Sequence, residues 1–155
     1  MAQPLLFETR SAEEMRRDRM DQVDRQVMDV LCGRSRFPVS DRQIDLLRIL
    51  RSKYGMGRAV QIGELAERIN INPRTIKEEI RGLVVDHQLP IGASRDGERG
   101  GYYLITTPEE AAAATADYKK EIVALARRVR VLEGQKGINE LLGQLRIEEE
   151  THHAL

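Results

Sequence analysis

The chain has 155 residues and a formal net charge of zero, with 41% hydrophobic residues, 4% aromatic residues and no Trp. This composition predicts an aliphatic, helix-rich core in one domain, or in a smaller domain with helical extensions. No apolar run approaches the ~20 residues that span a bilayer, residues 1–10 do not resemble a signal peptide, and the single Cys32 excludes an internal disulfide, so we expect a cytoplasmic protein with no membrane partner.

Residues 1–36 are predicted to form an N-terminal helical extension. Ser11 followed by Glu13 and Glu14 is typical of a helix start. Apolar residues then recur at helical spacing and give one narrow stripe, formed by Met20, Val23, Val27 and Val30 or Leu31. Gly33 closes this helix, and Cys32 at its end is interpreted as a small buried hydrophobic residue.

Residues 37–106 predict a compact domain of three helices and a hairpin. Ser40 or Asp41 caps the second helix of the chain, Val60 and Ile62 suit a very short strand, and the third helix of the chain covers residues 64–69. Asn72 is a good N-cap for the fourth helix, from Pro73 to about residue 87. The predicted buried residues of this fourth helix are Ile76, Ile80, Leu83 and Val84. Residues 91–94 and 102–105 read as strands around a glycine-rich turn.

Residues 107–155 predict a helical, dimerising segment. The helix after Thr107 and Pro108 carries apolar residues spaced 4, 3, 4 and 3 apart, which is the pattern of a coiled coil, at Tyr118, Ile122, Leu125, Val129 and Leu132. This stripe favours a homodimer. The alternative is that the helix packs back on its own domain. Gly134 and Gly137 are predicted to break the helix before a last short amphipathic helix.

The predicted fold is mainly α with a small β wing, a winged helix-turn-helix flanked by an N-terminal helix and a C-terminal coiled-coil-like helix. Two stretches carry the resemblance, IGELAERININPRTIKEEIRGL at 62–83 and PIGASRDGERGGYYLI at 90–105. They resemble the winged-helix domains of bacterial and phage regulators, including the biotin-operon repressors and the DeoR-type group. Similar modules with helical tails occur in phage replication and regulatory proteins. The resemblance implies that helix 73–87 is a DNA recognition helix.

The predicted DNA-binding residues lie on the recognition helix and on the wing. Arginine and lysine reach guanine edges or phosphates, Thr75 suits a phosphate or a thymine methyl, and Glu78 suits a cytosine amine. The full set is Arg74, Thr75, Lys77, Glu78 and Arg81 on the helix, with Arg95 and Arg99 on the wing. The alternative is that these are ordinary solvated charges.

The charge distribution limits the expected affinity for double-stranded DNA. Residues 61–101 carry six basic and seven acidic side chains. This balance favours a dimer that binds two half-sites over tight DNA binding by a monomer. We expect a transcriptional regulator or a phage replication accessory protein. The rival hypothesis is a protein-docking winged helix that recruits a polymerase, a helicase or another transcription or replication protein without contacting DNA.

The sequence offers little support for an enzyme. It contains neither GxxxxGK[ST] nor HExxH, and no Cys/His spacing typical of zinc. His87 is better placed to cap a helix than to act in catalysis. We therefore expect no catalytic residues, no metal and no cofactor.

Overall fold

The computed structural model describes residues 10–95, 97 and 100–153. These residues form a mainly helical structure with a small two-stranded antiparallel sheet and a long C-terminal helix. The elements in chain order are α1 (Ala12–Leu31), α2 (Asp41–Leu50), a short 3-10 helix (Met56–Arg58), α3 (Ile62–Ile69), α4 (Pro73–Val85), β1 (Ile91–Ser94), β2 (Gly101–Leu104) and α5 (Pro108–His153). Among the described helices, none combines the length and the apolar character needed to cross a membrane. The chain divides into two compact units, Met1–Ala114 and Thr115–Leu155.

The start of α1 is fixed by a reciprocal cap. The Ser11 hydroxyl accepts from the Glu14 amide at 3.2 Å, and the Glu14 carboxylate accepts from the Ser11 amide at 2.9 Å. This capping box satisfies two amides that have no partner inside the helix. The predicted helix start is confirmed.

The helix α1 contributes to the same hydrophobic core as α2, α3 and α4. Its buried residues, Val23, Val27 and Val30, are spaced four and three residues apart and so occupy one face. The structure corrects one prediction at its end. Cys32 is exposed, because the last turn of the helix carries this side chain away from the valine stripe.

The core of the first unit lies between α1, α2, α3 and α4 and the small sheet. Its largest fully buried side chains are leucine and isoleucine, with Tyr103 the one aromatic among them. The prediction that Val84 is buried is wrong, because its neighbour Leu83 occupies the inward position and Val84 is more than one-third exposed. The helix α4 also ends at Val85, two residues earlier than predicted.

The sheet pairs β1 with β2 in an antiparallel register, with Ile91 opposite Leu104 and Ser94 opposite Gly101. Val60 adds an isolated antiparallel bridge to Tyr102 on the other side of β2. The predicted strand at 60–62 is therefore reduced to one bridge, and Ile62 begins α3 instead. Gly101 has a φ of +149° at this contact, and a Cβ atom there would collide with the Val60 carbonyl.

The first turn of α5 is tied to the first unit by Glu110. One carboxylate oxygen of Glu110 accepts from the Met56 amide at 3.2 Å, and the other accepts from the Thr106 amide at 2.9 Å. The Glu110 amide in turn donates to the Thr107 hydroxyl at 3.2 Å. These bonds fix where the helix begins.

The helix α5 is interrupted at Gly134, which has a φ of 73° and a ψ of −166°. The predicted break at Gly134 is confirmed, but Gly137 is helical and buried, so the break predicted there is wrong. A Cβ atom at Gly137 would lie 3.2 Å from Cγ1 of Val129. Gly137 is therefore a contact point between the two segments of α5, residues 108–133 and 135–153.

A half-buried contact between α1 and the residues after α2 predicts sensitivity to alkali. The Tyr54 hydroxyl donates to Asp24 at 3.1 Å, and the Arg51 guanidinium also approaches that carboxylate, at 3.4 Å. Burial, together with the hydrogen bond to Asp24, raises the pKa of Tyr54 to about 12. The folded state thus holds this proton more tightly than the unfolded chain, whose tyrosine pKa is about 10.

We expect the stabilisation from Tyr54 to be complete below pH ~10 and to be lost as the pH rises through about 12. Tyr54→Phe should therefore lose less stability than the wild type between about pH 8 and about pH 11, which lie on either side of the tyrosine pKa of the unfolded chain. Urea unfolding at the two pH values measures the difference. Tyr118→Phe, at an exposed position, is the control and should follow the wild type; equal losses in all three proteins would contradict the prediction.

Candidate nucleic-acid interface

The turn between α3 and α4 is built from two asparagines with different tasks. Asn70 ends α3 in the left-handed conformation, with a φ of 58°, which asparagine tolerates better than most residues. The Asn72 side chain then accepts from the Thr75 amide at 2.8 Å, and Pro73 occupies the first turn, where its missing amide proton costs nothing. This local chemistry fixes the angle at which the chain enters α4, and it confirms the predicted cap.

Two kinds of contact fix the rotation of α4 about its axis. Its buried side chains are Ile76, Ile80 and Leu83. On the flank of that stripe, Glu79 accepts a hydrogen bond from the Ser40 hydroxyl at 3.1 Å. At Gly82 the helix packs against a side chain of α2, and an added Cβ would lie 2.7 Å from Nε2 of Gln43. The opposite face of α4 must therefore point away from the core.

That outward face carries most of the predicted DNA-binding residues. Arg74, Lys77, Glu78 and Arg81 are all exposed, and at 100° per residue they fall on one side of the helix. Arg74 and Glu78 form an ion pair at 3.4 Å. Such an exposed pair is worth about 1 kcal/mol or less, so Arg74 can exchange Glu78 for another anion at little cost.

The other predicted residues are placed differently. Thr75 is half-buried, and its hydroxyl donates to the capping Asn72 at 3.1 Å, so its proton points into the cap. Arg95 directly follows β1 and is exposed. Arg99 lies outside the described residues. Since α4 contacts β1, the hairpin follows the basic helix without an intervening element.

One candidate residue was missed by the sequence analysis. Val85 is 60% exposed and lies four residues after Arg81, on the same face of α4. An exposed valine there is suited to contact a thymine methyl group. The signal was the four-residue spacing from Arg81, which places Val85 on the outward face of the predicted helix.

The end of α4 is held by a side chain that the sequence analysis assigned to capping. The His87 ring nitrogen Nδ1 lies 2.6 Å from the Ser35 hydroxyl. This hydrogen bond joins the loop after α1 to the residues after α4. His87 thus fixes the position of this end of the helix through a side chain from another element.

The predicted dimerisation stripe lies in the second unit. Tyr118, Ile122, Leu125 and Leu132 are exposed, and Val129 is half-buried beside Gly137. None of these five residues is fully buried.

The described residues contain no group of three or more His, Cys, Asp and Glu side chains arranged to hold a metal ion. A surface depression runs along α1 and is lined by residues of that helix alone, Asp18, Asp21, Gln22, Arg25, Gln26 and Asp29. An opening formed by one helix is a groove on the surface rather than an enclosed site.

No protein-family model, no curated protein sequence and no solved structure matches the chain.

Proposed function

We propose that this protein binds duplex DNA through a winged helix-turn-helix, as a transcriptional regulator or a replication accessory protein. In this proposal α3 and α4 form the helix-turn-helix, and α4 enters the major groove. The turn between β1 and β2 is the wing, and it contacts the flanking backbone. The order of α2, α3, α4 and the hairpin supports this assignment, as does the Val60 bridge, which supplies a rudimentary third strand beside β2.

The observation that carries the proposal is the outward face of α4. Three basic side chains, those of Arg74, Lys77 and Arg81, are exposed on a helix whose rotation is fixed by its buried residues and by the hydrogen bond from Ser40 to Glu79. A rigid helix with arginines on its free face suits both guanine edges and phosphates. Val85 adds an apolar contact at the end of the same face.

The neutral net charge sets the expected strength of binding. Non-specific affinity for DNA comes from neutralised phosphates, and this chain offers only a local excess of basic residues. We expect modest affinity that depends steeply on salt. The neutral charge is also the observation that favours the second candidate function, a winged helix that docks on a polymerase, a helicase or another machine without contacting DNA.

Titration of a labelled random duplex at low and at near-physiological salt tests the proposal. We expect binding at low salt, with an affinity that falls linearly on a logarithmic scale as the salt concentration rises. Absence of binding to any duplex at low salt rejects DNA binding and leaves the docking function. A signal that does not change with salt also rejects it, because phosphate contacts release counterions.

A further inference from the structure

The Thr115–Leu155 unit buries almost nothing within itself. Among its described residues up to 151, only Gly137 is buried. Ten large apolar side chains are exposed, Tyr118, Ile122, Val123, Leu125, Val131, Leu132, Leu141, Leu142, Leu145 and Ile147. At roughly 100 Å² each, they expose about 1,000 Å² of apolar surface in total. Because helices owe most of their stability to packing, this unit needs a partner.

The break at Gly134 turns the chain so that the second segment contacts the first. Gly137 lies against Val129, although eight residues of a straight helix would separate them by about 12 Å. The two residues can approach only because the chain bends between them. The unit is therefore a pair of helical segments, 115–133 and 135–153, that meet near the bend.

Each segment carries one apolar stripe. On the first segment, Tyr118, Ile122, Leu125, Val129 and Leu132 share a face. On the second segment, Ile138, Leu141, Leu142 and Leu145 share a face. Other apolar residues lie off these stripes: Val123 and Val131 on the first segment and Ile147 on the second. The stripes predict where a partner packs, and the residues outside them provide matched controls.

The charges of the unit are complementary to those of a second copy. Residues 115–133 carry five basic and three acidic side chains, whereas residues 135–153 carry two basic and four acidic side chains. Oppositely charged segments attract when they alternate around a shared core. Along the first stripe, Glu121 and Arg128 occupy flanking positions of the heptad, where opposite charges on two chains select the partner. Each chain thus carries both the positive segment and the negative segment that a second copy requires.

We propose that the Thr115–Leu155 unit pairs with the same unit of a second copy to form a four-helix bundle. Both stripes face the shared core, and the interface is isologous, so each copy presents the same surface. The seven exposed residues of the two stripes, at roughly 100 Å² each, offer about 700 Å² of apolar surface, close to the ~800 Å² per partner of a standard interface. This pairing requires no DNA and does not rest on the proposed function.

Sedimentation equilibrium of the full chain without DNA, over a range of micromolar concentrations, tests the proposal. We expect a mass twice that of one chain. Leu132→Ser and Leu145→Ser should each raise the dissociation constant about tenfold or more. The controls are Val131→Ser and Ile147→Ser, which should change it less than about twofold. Each pair is matched, because Leu132 and Val131 are 83% and 85% exposed, and Leu145 and Ile147 are 52% and 66% exposed.

Three results would overturn the bundle. The first is a single-chain mass at every concentration. The second is equal effects of the variants on and off the stripes. The third is weakening by Leu132→Ser but not by Leu145→Ser, which would mean that only the first segments pair. Should Leu132→Ser fail to give folded protein, Ile122→Ser with Val123→Ser as its control repeats the comparison. A dimer that binds no DNA rejects the proposed function and leaves this inference intact.

Discussion

Replacing Arg74 and Arg81 together by Ala is expected to weaken duplex binding by roughly 10- to 100-fold at fixed salt. Both side chains are exposed on the outward face of α4, and neither contributes to the core that holds the helix. Each lost phosphate contact should also lower the slope of log affinity against log salt by about one. Fluorescence anisotropy with one duplex at several salt concentrations measures the affinity and the slope.

The control removes the same two charges from α1. Arg17 and Arg25 are exposed arginines eight residues apart, close to the seven that separate Arg74 from Arg81. Because Arg17→Ala with Arg25→Ala changes the net charge equally, any difference between the double variants reports position rather than total charge. Equal losses in the two double variants, or no loss from the α4 pair, would show that α4 is not the DNA-binding surface.

Replacing Gly101 by Ala is expected to destabilise the first unit by about 3 kcal/mol or more. The backbone at Gly101 has a positive φ, and the new Cβ would collide with the Val60 carbonyl. Relief requires β2 to move away from Val60, which breaks the hydrogen bonds between Val60 and Tyr102, both 2.9 Å long. Thermal unfolding followed by circular dichroism should show a midpoint lowered by about 10 °C.

Gly63→Ala is the matched control for this substitution. Gly63 lies in the first turn of α3, and a Cβ atom there would meet no atom within 4 Å. Alanine favours helix by up to about 1 kcal/mol over glycine, so this variant should be as stable as the wild type or slightly more stable. An unchanged midpoint for Gly101→Ala would mean that the close approach of β2 to Val60 is not required for the fold.

Local chemistry explains which elements could be predicted from the sequence. The caps at Ser11, Ser40 and Asn72 are confirmed, because each depends on residues within three positions along the chain. The burial of Cys32 and Val84 was harder to predict, because each follows an apolar residue in a helical run. The last turn of α1 carries Cys32 away from the valine stripe, and Leu83 takes the inward position beside Val84.

The same distinction applies to the candidate site. The outward face of α4 follows from the spacing of Ile76, Ile80 and Leu83, so periodicity alone placed Arg74 and Arg81 on it. The direction of the Thr75 hydroxyl could not be predicted, because it depends on a hydrogen bond to Asn72. The exposure of Val85 also follows from helical spacing, because it lies four residues after Arg81 on the face opposite the buried stripe.

The Ser40 hydroxyl affects how much conformational entropy is lost when a ligand binds α4. It accepts from the Gln43 amide at 3.1 Å, which caps α2, and it donates to Glu79 of α4 at 3.1 Å. One oxygen atom therefore contributes both to the start of α2 and to the orientation of α4. A surface that is already ordered loses little conformational entropy when a ligand arrives. For a face with only three basic side chains, this preorganisation allows a few contacts to yield measurable affinity.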